Sequence, residues 1–315
     1  MIEYSEKIRA IARRLFTDGT VDMVIGFRPG TIPMMNEPFF ATSPADADAL
    51  CWDSNCGINL ANYLTGRKEK IGIVAKGCDS RNIVTHIIEN KIRREQLYII
   101  GVPCRGMVDR RKINAMADAV AAVEEKGDAL TITTAAGDSQ RAAKSDVLQN
   151  NCTTCVHRNP VIFDELVAET APEPEIDDRW AAVTKIEALA PEEKWDYCND
   201  VLQDCIRCYA CKKACPLCYC PTCFVDESMP QWVGKSQDPI DVRTFHFLRA
   251  YHCAGRCTDC GACERACPVG INMRIFTSKL NKDAFELYGW EAGLSEDQRP
   301  PLDTYNTDDP DTFIL

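Results

Sequence analysis

The stretch Cys205-Ile206-Arg207-Cys208-Tyr209-Ala210-Cys211-Lys212-Lys213-Ala214-Cys215-Pro216 recurs in spacing as Cys257-Thr258-Asp259-Cys260-Gly261-Ala262-Cys263-Glu264-Arg265-Ala266-Cys267-Pro268. Three thiols separated by two residues each wrap one face of a 4Fe-4S cube, and the fourth, on the following helical turn, reaches across. In two-cluster chains of this spacing the fourth thiol ligates the neighbouring cube. Cys205, Cys208, Cys211 and Cys267 are therefore assigned to one cluster, and Cys257, Cys260, Cys263 and Cys215 to the other. Zinc would use four ligands as two pairs, which leaves two like quartets ending in Cys-Pro unexplained.

Working outward, 41 residues separate Cys215 from Cys257, more than a simple dicluster ferredoxin needs. Cys218, Cys220 and Cys223 lie in this connection, with Cys253 near its end. These four are read either as ligands of a fourth cluster or as buried thiols that shield the first two. The whole chain carries 19 cysteines in 315 residues, an odd number in a chain long enough to fold without disulfide staples. No signal peptide and no long apolar run are visible, so a cytoplasmic protein with no membrane span is expected, its thiols reduced and available to metal. With 36 basic against 47 acidic side chains the formal charge is -11, the wrong sign for a nucleic-acid binder.

The N-terminal half alternates apolar strand patterns with amphipathic helices and predicts an α/β domain with a parallel sheet. Strands are expected at 21–27, 70–74 and 97–102, and helices near 43–50, 59–64 and 139–149. Loops after the carboxyl ends of parallel strands share one edge of a sheet, which brings Cys78 and Cys104 to a common crevice. The pair Cys152-x2-Cys155 complements them, and with Cys56 the set predicts a third cluster. A catalytic cysteine served by His157 is the alternative. From Ala171 the acidic run Ala-Pro-Glu-Pro-Glu marks a linker, followed by helical patterns at 180–189, 191–202 and 279–287. The expected domains are 1–171, the α/β domain with its cysteine-lined crevice; 172–203, linker and helices; 204–285, a mainly helical ferredoxin-like dicluster domain; and 286–315, an acidic tail. That tail ends in Asp311-Thr-Phe-Ile-Leu315, a candidate docking segment for a partner.

Four segments carry a family resemblance: Asn55-Cys56-Gly57-Ile58-Asn59-Leu60-Ala61, Lys76-Gly77-Cys78-Asp79-Ser80-Arg81, Gly101-Val102-Pro103-Cys104-Arg105-Gly106, and Cys152-x2-Cys155 followed by Asn159-Pro160. They resemble the iron-sulfur β-subunit family of deazaflavin-reducing hydrogenases and formate dehydrogenases. The C-terminal cysteine segments are similar to the dicluster ferredoxin modules joined to such subunits. The resemblance implies a cytoplasmic electron-transfer subunit of an anaerobic oxidoreductase complex, with catalytic and electron-accepting protein subunits as partners. Some members bind a flavin, so FAD enters as a cofactor through the resemblance alone; the chain has no Gly-x-Gly-x-x-Gly fingerprint. It also lacks a Cys-Cys dipeptide, which speaks against a heterodisulfide-reducing site. Two functions remain open: a relay that only passes electrons between partners, and an enzyme subunit whose own flavin exchanges electrons with a deazaflavin or nicotinamide. Arg207, Lys212, Lys213 and Arg265 near the ligands are read as either tuning charges or surface residues.

Overall fold

The structure, a computed structural model, describes residues 2–303 and 307–308. The docking segment expected at 311–315 lies outside the described residues. The chain forms two compact units: Met1–Leu60, Gly66–Ser80 and Ile92–Glu175 make the first, and Ala61–Thr65, Arg81–Lys91 and Ile176–Leu315 the second.

In chain order up to the linker the elements are α1 (Ile2–Thr17), β1 (Met23–Pro29), β2 (Asn36–Ala41), β3 (Ile71–Ala75), α2 (Gly77–Ile88), β4 (Leu97–Gly101), α3 (Arg110–Met116), β5 (Val120–Lys126), β6 (Ala129–Thr134), β7 (Ser139–Ala143), α4 (Asn150–Thr153) and β8 (Glu165–Leu166). The main sheet has the order β2-β1-β3-β4-β8. β1–β3, β3–β4 and β4–β8 are parallel, whereas β1–β2 is antiparallel, so the sheet is mixed rather than purely parallel. The six residues between β1 and β2 are too few for a crossover and allow only a hairpin. β3 is buried along its whole length, and Ile99 and Ile100 of β4 are fully buried, as central strands covered on both faces require. Ile8, Ile11, Ala12 and Leu15 form the buried stripe of α1.

The sequence reading needs correction between 118 and 149. The helical pattern expected at 139–149 is instead strand β7 followed by a short 3₁₀ turn, Lys144–Val147. β7 pairs with β6, and β6 with β5, in a separate antiparallel sheet. Leu130, Ile132, Ala142 and Val147 bury against Val108 and Ile113, and this tertiary packing overrides the local pattern. The helices expected near 43–50 and 59–64 shrink to single 3₁₀ turns, Asp46–Ala49 and Leu60–Tyr63.

All regular elements of the second unit are helical among its described residues. From the linker onward they are α5 (Ala181–Glu187), α6 (Pro191–Leu202), α7 (Ala210–Ala214), α8 (Pro239–Tyr251), α9 (Ala262–Ala266) and α10 (Arg274–Tyr288). α6 opens with Pro191 in its first turn, and the Glu193 side chain accepts from the Ala190 amide at 2.8 Å. α8 was not legible in the sequence. Its start is capped by Asp238, which accepts from the Ile240 amide at 3.0 Å, but its buried face combines Val242, Phe245 and Ala250 with His246 and Arg249. Two polar residues on the inner face blur the apolar stripe that announces a helix. The core of the unit gathers Leu202, Val225, Val233, Val242, Phe245, Ile271 and Met273 around Cys211 and Cys267. Among the described residues no helix is long and apolar enough to cross a membrane.

Truncating the fully buried Ile99 of β4 to alanine removes packing on one face of the sheet. An expected loss of about 2–5 kcal/mol, read from urea unfolding followed by circular dichroism, tests this placement; a loss below about 1 kcal/mol would contradict it.

Candidate functional site

The two cysteine motifs of the second unit are backbone copies of one another. Arg207 and Asp259, each two residues after the first cysteine, are left-handed at φ 49° and 55°, and Tyr209 and Gly261 follow at 60° and 67°. Three of these four are not glycine and adopt the conformation at a cost of about 1 kcal/mol or more each. The turn they make directs the amides of Arg207 and Asp259 at the sulfurs of Cys205 and Cys257, both at 3.4 Å. The Ile271 amide likewise donates to Cys267 Sγ at 3.4 Å. Each wrap then enters a short helix, α7 or α9, that carries the third cysteine.

One cavity of this unit is lined by Cys205, Cys208, Cys211 and Cys267, together with Tyr209, Phe245 and His246. A second is lined by Cys215, Cys253, Cys257, Cys260 and Cys263, together with Arg249 and Arg274. Each lining thus takes three thiols from one motif and a fourth from the other. Among the described residues no three Cys, His, Asp or Glu side chains converge closely enough for a single metal ion. Burial pushes the thiols of Cys211 and Cys260 up to about 11 and about 12, and raises Cys257 as well. Such thiols give up their protons only to a cationic centre, and backbone amides already aimed at sulfur stabilise the resulting thiolate. Four thiols around one cavity, with amide donors behind them, are a donor set that fits an iron-sulfur cube.

The four cysteines expected as a further group are divided. Cys218 and Cys253 hydrogen-bond with Cys215; Cys215 and Cys253 pull the Cys218 thiol down to about 4, helped by the positive charge of Arg249. Cys223 packs against the apolar core, and Cys220 is exposed.

In the first unit β3 and β4 pair with Ala75 opposite Gly101, so the chains leaving both strands emerge side by side. They carry Lys76-Gly77-Cys78 and Val102-Pro103-Cys104. The Cys104 amide donates to the Arg158 carbonyl at 3.0 Å, which ties this loop to the segment following Cys155. A Cβ on Gly77 would stand 2.3 Å from the His157 carbonyl oxygen, so that segment also presses on the Cys78 turn. The Gly106 amide donates to Cys104 Sγ and the Met107 amide to Cys152 Sγ, both at 3.4 Å. Burial and the neighbouring Cys152 push the Cys104 thiol up to about 12. Beneath them, Lys76 Nζ donates to Asp79 Oδ2 at 2.8 Å and to the Ile58 carbonyl at 2.9 Å. Burial opposes the charge on Lys76, but Asp79, Cys78 and Cys104 outweigh it and raise its pKa.

Cys56 is held by the loop 51–56 and by β2. Its sulfur accepts from Asn36 Nδ2 at 3.3 Å and from the Asp53 amide at 3.4 Å, and its side chain bonds with Cys51. The loop 51–56 closes on itself, because Asp53 holds both Asn36 and the Asn55 amide. The sequence reading grouped Cys56 with the crevice and left Cys51 out; the structure pairs the two. The Cys155 thiol donates to the backbone carbonyl of His157 at 3.5 Å.

Of the expected tuning charges, Arg207 is spent on the carbonyls of Gly234 and Ser236 at 2.6 and 2.7 Å, Lys212 pairs with Asp226 at 2.7 Å, and Lys213 is exposed. Arg207 nevertheless lines the first cavity, where its charge favours the Cys205 thiolate, and Arg265 donates to the Cys260 carbonyl at 3.3 Å. Two further basic residues at the thiol cavities, His246 and Arg249, are not singled out by the sequence. His246 Nε2 lies within hydrogen-bond distance of Cys205 Sγ, at 3.3 Å, and burial, Arg249 and Arg207 hold its pKa down at about 4, which keeps the ring neutral. Both His246 and Arg249 lie on α8, 30 residues or more after the first motif, and their i, i+3 spacing is the one sequence signal that puts them on the same face.

No family model matches the chain. Among curated proteins, the F420-dependent formate dehydrogenase subunit beta of Methanocaldococcus jannaschii is 24% identical, across 94% of this chain and 93% of that protein. The F420-dependent formate dehydrogenase 1 subunit beta of Methanococcus maripaludis is also 24% identical, across 94% and 92%. Among solved structures, a chain of the xenon-derivatised F420-reducing NiFe hydrogenase complex of Methanosarcina barkeri is similar at 13% identity and a TM-score of 0.41, over 65% of this chain and 90% of that one.

The buried Lys76–Asp79 pair, with side chains 3% and 0% exposed, leaves an uncompensated charge if one partner is removed. Lys76→Met is expected to cost about 3–5 kcal/mol in chemical unfolding, and the double variant Lys76→Met, Asp79→Leu to recover much of it. Equal losses in both variants would show that the charges are not coupled.

Proposed function

Because the chain belongs to the deazaflavin-reducing β-subunit family of formate dehydrogenases and hydrogenases, we propose that it is an oxidoreductase subunit that relays electrons through 4Fe-4S clusters between partner proteins. The observation that carries this reading is the interleaving of the two thiol linings, each completed by a cysteine from the other motif. In the proposal Cys205, Cys208, Cys211 and Cys267 hold one cluster in a ferredoxin-like module, and Cys257, Cys260, Cys263 and Cys215 the other. Bound cubes supply one-electron steps whose potentials follow net charge, hydrogen bonds to sulfur and solvent exposure. The chain's own part is to anchor, insulate and bias them. Amides at 3.4 Å and the His246 ring stabilise thiolate charge, while Phe245, Ile271 and Met273 keep water from the first cavity.

A third cluster is proposed on Cys78, Cys104, Cys152 and Cys155, with the buried Lys76 ammonium as its counter-charge. Cys218 and Cys253 serve as neighbours of Cys215 rather than as ligands of a separate cluster. The relatives are subunits by name, and partner subunits that feed and drain the relay are proposed here too. The surface end of the first cavity fits electron exchange with such a partner: Cys208 is exposed, and Ile206 and Val269 on its rim are 50% and 42% exposed. We place the protein in the cytoplasm, where reducing conditions leave 19 cysteines free for metal.

The second reading, an FAD in the first unit that exchanges electrons with a deazaflavin, follows from the F420 dependence in the relatives' names. Flavin analysis of protein purified anaerobically and then denatured separates the two: stoichiometric flavin establishes the enzyme reading, and its absence the simple relay. For the clusters, anaerobic iron and sulfide counting is the test. Cys208→Ser, Cys260→Ser and Cys104→Ser are each expected to lower iron by about four atoms per chain, one cubane, and Cys56→Ser to leave it unchanged. Unchanged iron in the first two variants would overturn the relay; unchanged iron in Cys104→Ser would remove the third cluster alone.

A further inference from the structure

Arg249 is 5% exposed, on the inner face of α8 in the connection between the two cysteine motifs. Its guanidinium reaches both thiol cavities. It lines the second, where it hydrogen-bonds with the Cys263 thiol, and its Nη2 donates at 3.3 Å to the carbonyl of Cys211, a residue that lines the first. The groups facing it electrostatically are Cys263, Cys215, Cys253 and Cys211. Among the described residues no carboxylate pairs with it, and its Nε is buried without a hydrogen-bond partner. Arg274, the other arginine on the second cavity, is neutralised by Asp259 at 2.7 Å and Glu264 at 3.2 Å.

A guanidinium cannot shed its proton, and leaving one buried without counter-charge is costly. The countercharge within reach is sulfur. We infer that Arg249 is the fixed counter-cation of the two clusters and raises the reduction potential of the one held by Cys215, Cys257, Cys260 and Cys263 more than that of its neighbour. The inference rests on the cluster reading above. Adding an electron to a thiolate-ligated cluster makes it more negative, and a buried cation beside it, in a medium that screens poorly, favours the reduced form. The bias is uneven because Arg249 touches sulfur in the second cavity but only a backbone carbonyl in the first. His246, whose Nε2 lies 3.3 Å from Cys205 Sγ in the first cavity, acts on the other cluster. One helix inserted between the motifs thus carries a separate positioning residue for each cavity, so the two potentials are set independently of the near-identical ligand loops.

The test is a redox titration of the full chain, purified anaerobically and monitored by electron paramagnetic resonance, on Arg249→Met, Arg249→Lys and the exposed control Lys213→Gln. In Arg249→Met the reduced-to-oxidised ratio of one cluster at fixed potential is expected to fall at least tenfold, a shift of about 59 mV for one electron, with a smaller change in the other. Arg249→Lys keeps the charge and should restore most of the shift, and Lys213→Gln should move neither cluster. Iron is counted in every sample. If the unmutated chain lacks the iron of two cubes, the cluster reading itself fails. If iron is retained in Arg249→Met and neither potential moves, or if Arg249→Lys shifts as far as Arg249→Met, the inference fails. Loss of iron in Arg249→Met but not in Arg249→Lys supports the need for the charge; loss in both marks Arg249 as a packing residue and overturns it.

Discussion

Negative charge on sulfur, held away from water, is the constraint on which both units are built. A buried thiol stays protonated unless something nearby favours the anion, and here burial, joined by neighbouring thiols, pushes several thiols up to about 11 or 12. The chain answers with three kinds of group. Left-handed turns aim backbone amides at Cys205, Cys257 and Cys104. One neutral ring, His246, stands with Nε2 at 3.3 Å from the Cys205 sulfur. Two buried cations, Lys76 in the first unit and Arg249 in the second, carry full charge toward their thiol groups.

The two units meet this constraint by different architectures. In the first, parallel strands β3 and β4 end in register, so two loops far apart in sequence deliver Cys78 and Cys104 to one sheet edge, and the segment after Cys155 is bonded across to them. The sheet holds the loops by backbone pairing, and β3 tolerates no polar side chain along its length. In the second unit there is no sheet among the described residues; short helices α7 and α9 pack against each other, and the thiols belong to the core itself, Cys211 and Cys267 packing with Phe245 and Ile271. There the proposed cluster ligands and the hydrophobic core are the same residues, so under that reading cluster loading and folding are coupled.

Much of this was legible in the order of residues, and the failures share a cause. Strands β3 and β4 and helix α6 announce themselves through uninterrupted local patterns: a wholly apolar run, or proline in the first turn followed by a capping glutamate. β7 was missed because Ser139–Ala143 has no strong strand character of its own and becomes a strand by pairing with β6. α8 was missed because its buried face includes His246 and Arg249. The partners of Cys56 were not legible because Asn36, which donates to its sulfur, comes from β2, twenty residues earlier in the chain.

The sequence by itself determined the two cysteine loops proposed to carry the clusters, since the reach of a thiol pair separated by two residues is a property of the local chain and needs no partner to be read. It also determined the central strands, whose apolar runs have no other stable place than the inside of a sheet. Only the tertiary structure decided which charged groups stand behind the sulfurs. A histidine or arginine in an amphipathic pattern reads as surface, because its burial is favourable only where thiols from other segments supply the compensating charge, and those contacts exist only once the chain is folded.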